Sequence, residues 1–312
     1  MLKGTVASLG IAMGEVYLFE KIQVHIDYDK VEESEINKHE NCFREALEKS
    51  KEQIAELIES LEDENNNEKS EILKSHLIIL EDNTMIDNVL DKILYHRHKA
   101  DAAVALTLKE LSDQFANIED EYIKERLSDI KDICNRIIYN IKGVKIPSLS
   151  RLAEGSVIIA NELTPSDTAS IDKRNALAFA TELGGKNSHI AIMAGLLEIP
   201  AIVGVRGITK NVKNGDHIIV DANEGIIIIN PDEEQKRAYY RKKADYENTK
   251  KEYDKLINVR CVTKDNKHIE ISGNIGKPAD VDGVLKYGAD GIGLFRTEFL
   301  YMDRGSLPDE EE

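Results

Sequence analysis

The stretch Ala176-Leu177-Ala178-Phe179-Ala180-Thr181-Glu182-Leu183-Gly184-Gly185-Lys186-Asn187-Ser188-His189-Ile190-Ala191-Ile192-Met193-Ala194 reads as a short buried strand, a glycine loop and a helix start. Small polar residues and two glycines precede an apolar run at helical spacing, with a histidine at the junction. A side chain there sits beside unpaired backbone N–H groups and the positive end of the helix dipole. Such a place suits phosphate or another anion, and a histidine in it could carry a phosphoryl group on a ring nitrogen.

Working outward, Ser156-Val157-Ile158-Ile159-Ala160 is a second apolar strand, followed by Thr164-Pro165, a helix start with proline at the first helical position. Downstream, Pro200 to Val205, His217 to Asp221 and Gly225 to Asn230 read as further strands. Residues 3–8 and 14–19 predict two more, around a turn at Gly10-Ile11-Ala12-Met13. These two need partners, and the economical arrangement joins them to the later strands in one α/β domain.

Between them, residues 32 to 142 contain no proline, and apolar residues fall at helical spacing. Ile36, Phe43, Leu47, Ile54, Leu57 and Leu61 form one stripe, ending at Asn65-Asn66-Asn67. Ile72, Leu73, His76, Ile79 and Leu80 begin another, and Thr84 followed by Asp87 predicts the start of a third. Val104, Leu108, Leu111 and Phe115 mark a fourth, and Ile123 to Ile141 a last one closed by Gly143 and Pro147. Four to five amphipathic helices with short links predict a helical bundle inserted into the α/β domain. Residues 31–70 carry 13 acidic against 5 basic side chains, a strongly negative face.

Residues 231–257 are highly charged and read as a long exposed connecting helix. Ile269 to Ser272 then predicts a strand, Ala279 to Tyr287 a helix and Gly291 to Phe295 a strand. One βαβ unit is too small to bury both faces of a parallel sheet, so the region reads as the start of a larger domain. The expected boundaries are 1–28 with 146–230 for the α/β domain, 29–145 for the helical insert, 231–258 for the linker helix and 259–312 for the incomplete last domain.

The 312 residues carry a net charge of −17, which argues against nucleic-acid binding and favours a basic protein partner. Cys42, Cys134 and Cys261 show no metal-ligand spacing and fit reduced thiols. No apolar run approaches the ~20 residues that span a bilayer, and Met1 to Val6 lacks the apolar core of a signal peptide. The expectation is a cytoplasmic protein with no membrane contact. GxGxxG, Walker, HExxH and GxSxG patterns are all missing.

The segment Thr181 to Ala194 resembles the phosphohistidine signature of phosphoenolpyruvate-utilising enzymes, and its wording is most similar to the enzyme I family of the bacterial sugar phosphotransferase system. Three more stretches carry the resemblance in order: Glu68-Lys69-Ser70-Glu71-Ile72 through Asp82, Leu163-Thr164-Pro165-Ser166-Asp167-Thr168-Ala169, and Gly291-Ile292-Gly293-Leu294-Phe295-Arg296-Thr297-Glu298-Phe299-Leu300-Tyr301-Met302. The resemblance implies an α/β phosphohistidine domain with an inserted helical bundle, a linker helix and the truncated start of a (β/α)8 barrel.

It also implies roles. His189 takes the phosphoryl group on Nε2, which requires the ring proton on Nδ1. Thr168 orients that ring. Lys69, Gly185, Lys186 and Ser188 surround the phosphoryl group, Arg296 grips phosphoenolpyruvate, and His76 and Arg126 face the histidine phosphocarrier protein HPr. An acidic insert meeting a basic carrier suits fast, transient association. Mg2+ serves the phosphoenolpyruvate step, with no ligand expected in this chain. The full-length family member is expected to dimerise through its barrel, and this chain to be monomeric. One departure stands out: Lys186-Asn187 replaces the family's usual Arg-Thr, which keeps the charge but loses the bidentate fork.

Two other readings remain open. One is the swivelling domain of a pyruvate phosphate dikinase or phosphoenolpyruvate synthase, which expects a nucleotide-binding region ahead of the histidine domain and no such insert. The other is a non-catalytic helical interaction protein whose loop binds an anion passively.

Overall fold

The computed structural model describes residues 1–63, 67–115, 121–150, 152–172, 174–185, 189–276 and 278–297. The chain divides after Tyr239 into two compact units.

The first unit begins with β1 (Leu2–Lys3), β2 (Thr5–Ser8) and β3 (Ile11–Phe19). Five helices follow: α1 (Ile36–Asp63), α2 (Asn67–Leu80), α3 (Asn83–Leu94), α4 (Ala100–Phe115) and α5 (Glu121–Ile141). The chain then alternates through β4 (Ser156–Ala160), α6 (Pro165–Ala169), β5 (Ala176–Thr181), α7 (His189–Leu197) and β6 (Ala201–Val203). A short α8 (Ile208–Asn211) leads into the hairpin of β7 (His217–Asp221) and β8 (Ile226–Ile229).

All eight strands form one sheet in the order β1-β8-β7-β3-β4-β5-β6-β2. Its centre is parallel: β3, β4, β5 and β6 run side by side in the same direction. A parallel neighbour requires a long crossover, and between β3 and β4 that crossover is the whole set of five helices. The sheet's two outer strands belong to one stretch of chain. Leu2–Lys3 pairs with β8, and three residues later Val6 pairs with Ile202 of β6. Gly4 makes this passage: a Cβ there would lie 2.6 Å from Ile202 Cγ2 and 2.8 Å from the Val203 carbonyl oxygen.

Side-chain alternation along the strands builds two apolar layers. Ile158 and Phe179 face Ile190, Ala194 and Leu197 of α7. Val157, Ile159, Ala178 and Ala180 join Ile218 and Val220 in the other layer. The helices pack around a third core that includes Phe43, Ile54, Leu73, Leu80, Ile93, Val104 and Ile137.

Several local expectations shift. The turn placed at Gly10 to Met13 contracts to Leu9-Gly10, because Ile11 and Ala12 are buried and pair with Asp221 and Val220. Gly10 makes the corner with φ +137°. The third helix is capped by Asp82, whose carboxylate accepts the Thr84 N–H at 2.7 Å, rather than by Thr84.

The helix α9 (Glu233–Asp254) runs across the division and buries none of its residues. In the second unit, β9 (Ser272–Ile275), α10 (Val281–Lys286) and β10 (Gly291–Phe295) make a parallel βαβ unit. The strand expected at Ile269 to Ser272 lies three residues later, where backbone pairing with β10 is available. A 3-10 turn at Pro278–Asp280 precedes α10, so that helix starts after Ala279. Ile292, Leu294 and Phe295 are exposed.

Candidate active site

α6 is five residues long, too short to be stable on backbone bonds alone. A reciprocal cap sets it. The Thr164 N–H and hydroxyl each donate to Asp167 Oδ2 at 2.8 Å, and the Asp167 N–H returns to Thr164 Oγ1 at 3.3 Å. Pro165 occupies the first helical position. Thr168 is fully buried. Its hydroxyl faces two backbone acceptors, Pro165 O at 3.0 Å and Thr164 O at 3.2 Å. A hydroxyl has one proton. With that proton directed at a carbonyl, the Thr168 oxygen offers only lone pairs to anything else, and so acts as an acceptor.

α6 packs against α7 and also against α1 and α2. It therefore brings the Thr168 segment against the helix that His189 opens. Ahead of that helix, the Glu182 and Leu183 N–H groups bond Ala160 and Asn161 carbonyls, and the Val205 N–H bonds the Thr181 carbonyl. Gly184 takes φ +110°, a backbone that favours glycine. Gly185 is exposed, with open space where a Cβ would stand. Lys186, Asn187 and Ser188 lie outside the described residues, as do the side chains of Lys69 and His189.

Where α6 meets the helices, a cluster of charged groups is buried. Lys21, on the segment after β3, lies 2.9 Å from Asp167 Oδ2. On α5, Asp129, Asp132 and Arg136 are all buried. His76 of α2 places Nε2 3.3 Å from Asp129 Oδ1 and Nδ1 3.9 Å from Asp132 Oδ2. Burial works against the Lys21 charge, but Asp167 and then Asp132 outweigh it and raise its pKa. Burial pushes the Asp167 carboxyl up, with Lys21 opposing. Three donors converging on Oδ2 fit the ionised form. Burial lowers the Arg136 guanidinium, and Asp132 and Asp167 counteract it.

The expected residues thus separate. Thr168 lies on α6, which packs against α7, and the Gly184-Gly185 backbone precedes α7 in the chain. The His76 side chain is fully buried, with Nε2 beside Asp129 and Nδ1 toward Asp132 of α5. The helical periodicity that placed His76 among apolar residues already carried that signal. Arg126 is half-buried on α5, and Arg296 is exposed just after β10. Asp167 and Lys21 were not among the expected site residues. The Thr164-x-x-Asp167 spacing marks a capping box and could have flagged Asp167; no local pattern pairs Lys21 with it.

Beside the cluster lies a cleft of about 990 Å3, lined by residues 19–24 and 26, α4, α5, Asn161, Glu162, Thr164, Glu182 and Thr209. The Thr209 hydroxyl donates to Glu182 and holds that carboxyl below its usual range. Among the described residues no group of three or more His, Cys, Asp or Glu could hold a metal ion.

Residues 3–126 match the PEP-utilising enzyme N-terminal family, residues 152–225 the PEP-utilising enzyme mobile domain and residues 250–312 the PEP-utilising enzyme PEP-binding domain. The chain is 39% identical over 311 residues to the phosphoenolpyruvate-protein phosphotransferase of Priestia megaterium and 42% identical over 317 residues to that of Staphylococcus aureus. Each alignment takes in all of this chain and 54% of the relative, so the chain spans about half the length of the curated relatives it matches. An NMR solution structure of Enzyme I (nEIt) superposes with a TM-score of 0.68 at 45% identity, covering 79% of this chain and 100% of that one. The N-terminal domain of Enzyme 1 - Nitrogen shares the fold at a TM-score of 0.50 and 20% identity, over 77% of this chain and 98% of that one. The buried Thr168 segment, the glycine loop and the His189 helix are thus set in a chain that belongs to the family of phosphoenolpyruvate-utilising enzymes, alongside the proteins named phosphoenolpyruvate-protein phosphotransferase.

Proposed function

We propose that His189 accepts a phosphoryl group on Nε2 and exchanges it with a histidine of HPr, and that in the longer relatives the group originates from phosphoenolpyruvate. The observation that carries this reading is the polarity of Thr168. Its hydroxyl proton is directed at the Pro165 and Thr164 carbonyls, so its oxygen is ready to accept a ring Nδ1–H. That holds the proton on Nδ1 and leaves the Nε2 lone pair free to attack phosphorus. In the transfer the new Nε2–P bond forms as the bond from phosphorus to the donor's histidine breaks, and the ring proton stays in place. The positive end of α7 and the backbone of the glycine loop favour the charge delivered there. Lys69, Lys186 and Ser188 are assigned to the phosphoryl group by resemblance alone.

Arg126 and the acidic α1 face serve HPr docking in this reading, Arg296 belongs to the phosphoenolpyruvate site, and 259–312 is the start of the (β/α)8 barrel. Mg2+ belongs to the phosphoenolpyruvate step of the whole enzyme, with ligands outside the described residues, and no step is routed through it here. The chain is expected to be a cytoplasmic monomer, in keeping with its three free cysteines, and the full-length enzyme a dimer.

Incubation with phospho-HPr and detection of an acid-labile phosphoryl group tests the reading. Wild type should be labelled and His189→Ala should not. An unlabelled wild type, or equal labelling of both, overturns it.

A further inference from the structure

Thr168 can accept from a ring only if its own proton stays on the backbone carbonyls, and one of those carbonyls belongs to Thr164. Thr164 in turn is held by Asp167 through its N–H and its hydroxyl, both at 2.8 Å. The same carboxylate oxygen takes Lys21 Nζ at 2.9 Å. Lys21 belongs to the segment that leaves β3 for the helices and is attracted by Asp132 of α5. Among the described residues the buried Asp132 Oδ2 has no hydrogen-bond partner, and it lies 3.9 Å from His76 Nδ1 of α2. Lys21, Asp132, Arg136 and Asp167 line a shared cavity of about 20 Å3, room for roughly one water molecule. Their charges act on one another at short range in a poorly screened setting.

We propose that the buried chain of polar groups His76–Asp132–Lys21–Asp167 positions the Thr168 hydroxyl, making Asp167 and Lys21 positioning residues for phosphoryl transfer at His189 and tying α2 and α5 to that site. The proposal rests on the function read above. Asp167 acts through Thr164: its charge gathers the two Thr164 donors and Lys21, which keeps the Thr164 carbonyl turned toward Thr168. Arg136, drawn by both Asp132 and Asp167, balances the charge across the cluster. Without the Asp167 charge the α6 cap loosens and the Thr168 proton is free to turn. The ring at His189 then loses its preference for the Nδ1–H tautomer.

The test uses Asp167→Asn, Lys21→Met and Lys21→Arg, each first compared with wild type by thermal melting. Asparagine keeps an acceptor for the cap while removing the charge. The first readout is the tautomer of His189 from nitrogen-15 NMR of the imidazole. The second is the rate of phosphoryl uptake from phospho-HPr as a function of its concentration. Asp167→Asn and Lys21→Met should shift the ring toward a tautomer mixture and lower the maximal rate about ten- to a hundredfold. Half-saturation should not move, since neither residue is assigned to docking. Lys21→Arg should restore both readouts, and Thr168→Ala should reproduce the tautomer shift. Folded Asp167→Asn and Lys21→Met proteins with wild-type tautomer and rate would overturn the proposal. Should Asp167→Asn fail to fold, Lys21→Met decides, since Lys21 keeps 32% of its side chain exposed. Should wild type take no phosphoryl group, the function read above fails, while the tautomer still decides the positioning.

Discussion

β4 buries all five of its residues and none is charged, whereas α5 buries Asp129, Asp132 and Arg136 beside Ile133, Cys134 and Ile137. The central strands are covered on both faces by apolar layers, so a charge there would find no partner. Where the sheet does bury a carboxylate, at Asp221, the N–H groups of Asn223 and Glu224 satisfy it in the turn after β7. The helices are different because their side chains face two environments. One stripe fills the helical core; an adjoining one meets α6 and Lys21 and carries the paired charges. The sheet is built to stay as it is, and the helical face beside α6 holds polar groups whose arrangement depends on their partners.

The largest effect is expected where the two regions resemble each other, in their apolar centres. Phe179→Ala in β5 and Phe43→Ala in α1 each remove a fully buried ring and should cost about 3–5 kcal/mol in urea unfolding. If only one of them does, the two cores are not equivalent. Next, Asp132→Ala should cost about 3 kcal/mol, because it leaves buried Arg136 with less compensation. A loss under 1 kcal/mol would mean that this cluster is as dispensable as surface charge.

Thr164→Ala removes the cap of α6 and should cost about 1 kcal/mol, read as a shift in the urea midpoint without a change in slope. The smallest effect concerns pH. Ala100, the first residue of α4, donates its N–H to His39 Nδ1 at 3.3 Å, a bond that needs the unprotonated nitrogen. Burial, with Lys38 behind it, lowers His39 from 6.5. The folded protein therefore binds fewer protons at this site than the unfolded chain. The stability it contributes is complete above about 6.5 and is lost as pH falls through the lower folded value. The urea midpoint should drop between pH 7.5 and pH 5.5, and less so in His39→Gln; equal drops would remove His39 from the account.

Much of the local structure was legible in the chain. The stripe from Ile36 to Leu61 becomes α1, and Thr164-Pro165 becomes a capped helix start, because periodicity and capping act within a few residues. The strand boundaries at Ile11 and Ser272 were not, since pairing partners more than a hundred residues away, or across α10, decide how far a strand extends. His76 shows the limit at the level of a site. Its spacing placed it in the helical stripe, yet the resemblance suggested a docking contact, and only the packing of α2 on α5 puts its ring beside Asp129 and Asp132.

By itself, then, the sequence determined the alternation of strands and helices, the glycine loop that opens α7 at His189 and the family signature spread along the chain. Those features depend on neighbours in sequence, whose contacts follow from periods of 2 and 3.6 residues. Only the tertiary structure decided that Leu2 to Ser8 joins both ends of the sheet, that α6 packs against both the helices and α7, and that Lys21 meets Asp167. A charge gains its partner from whichever elements the sheet order brings together, and that order is set by pairings far apart in the chain.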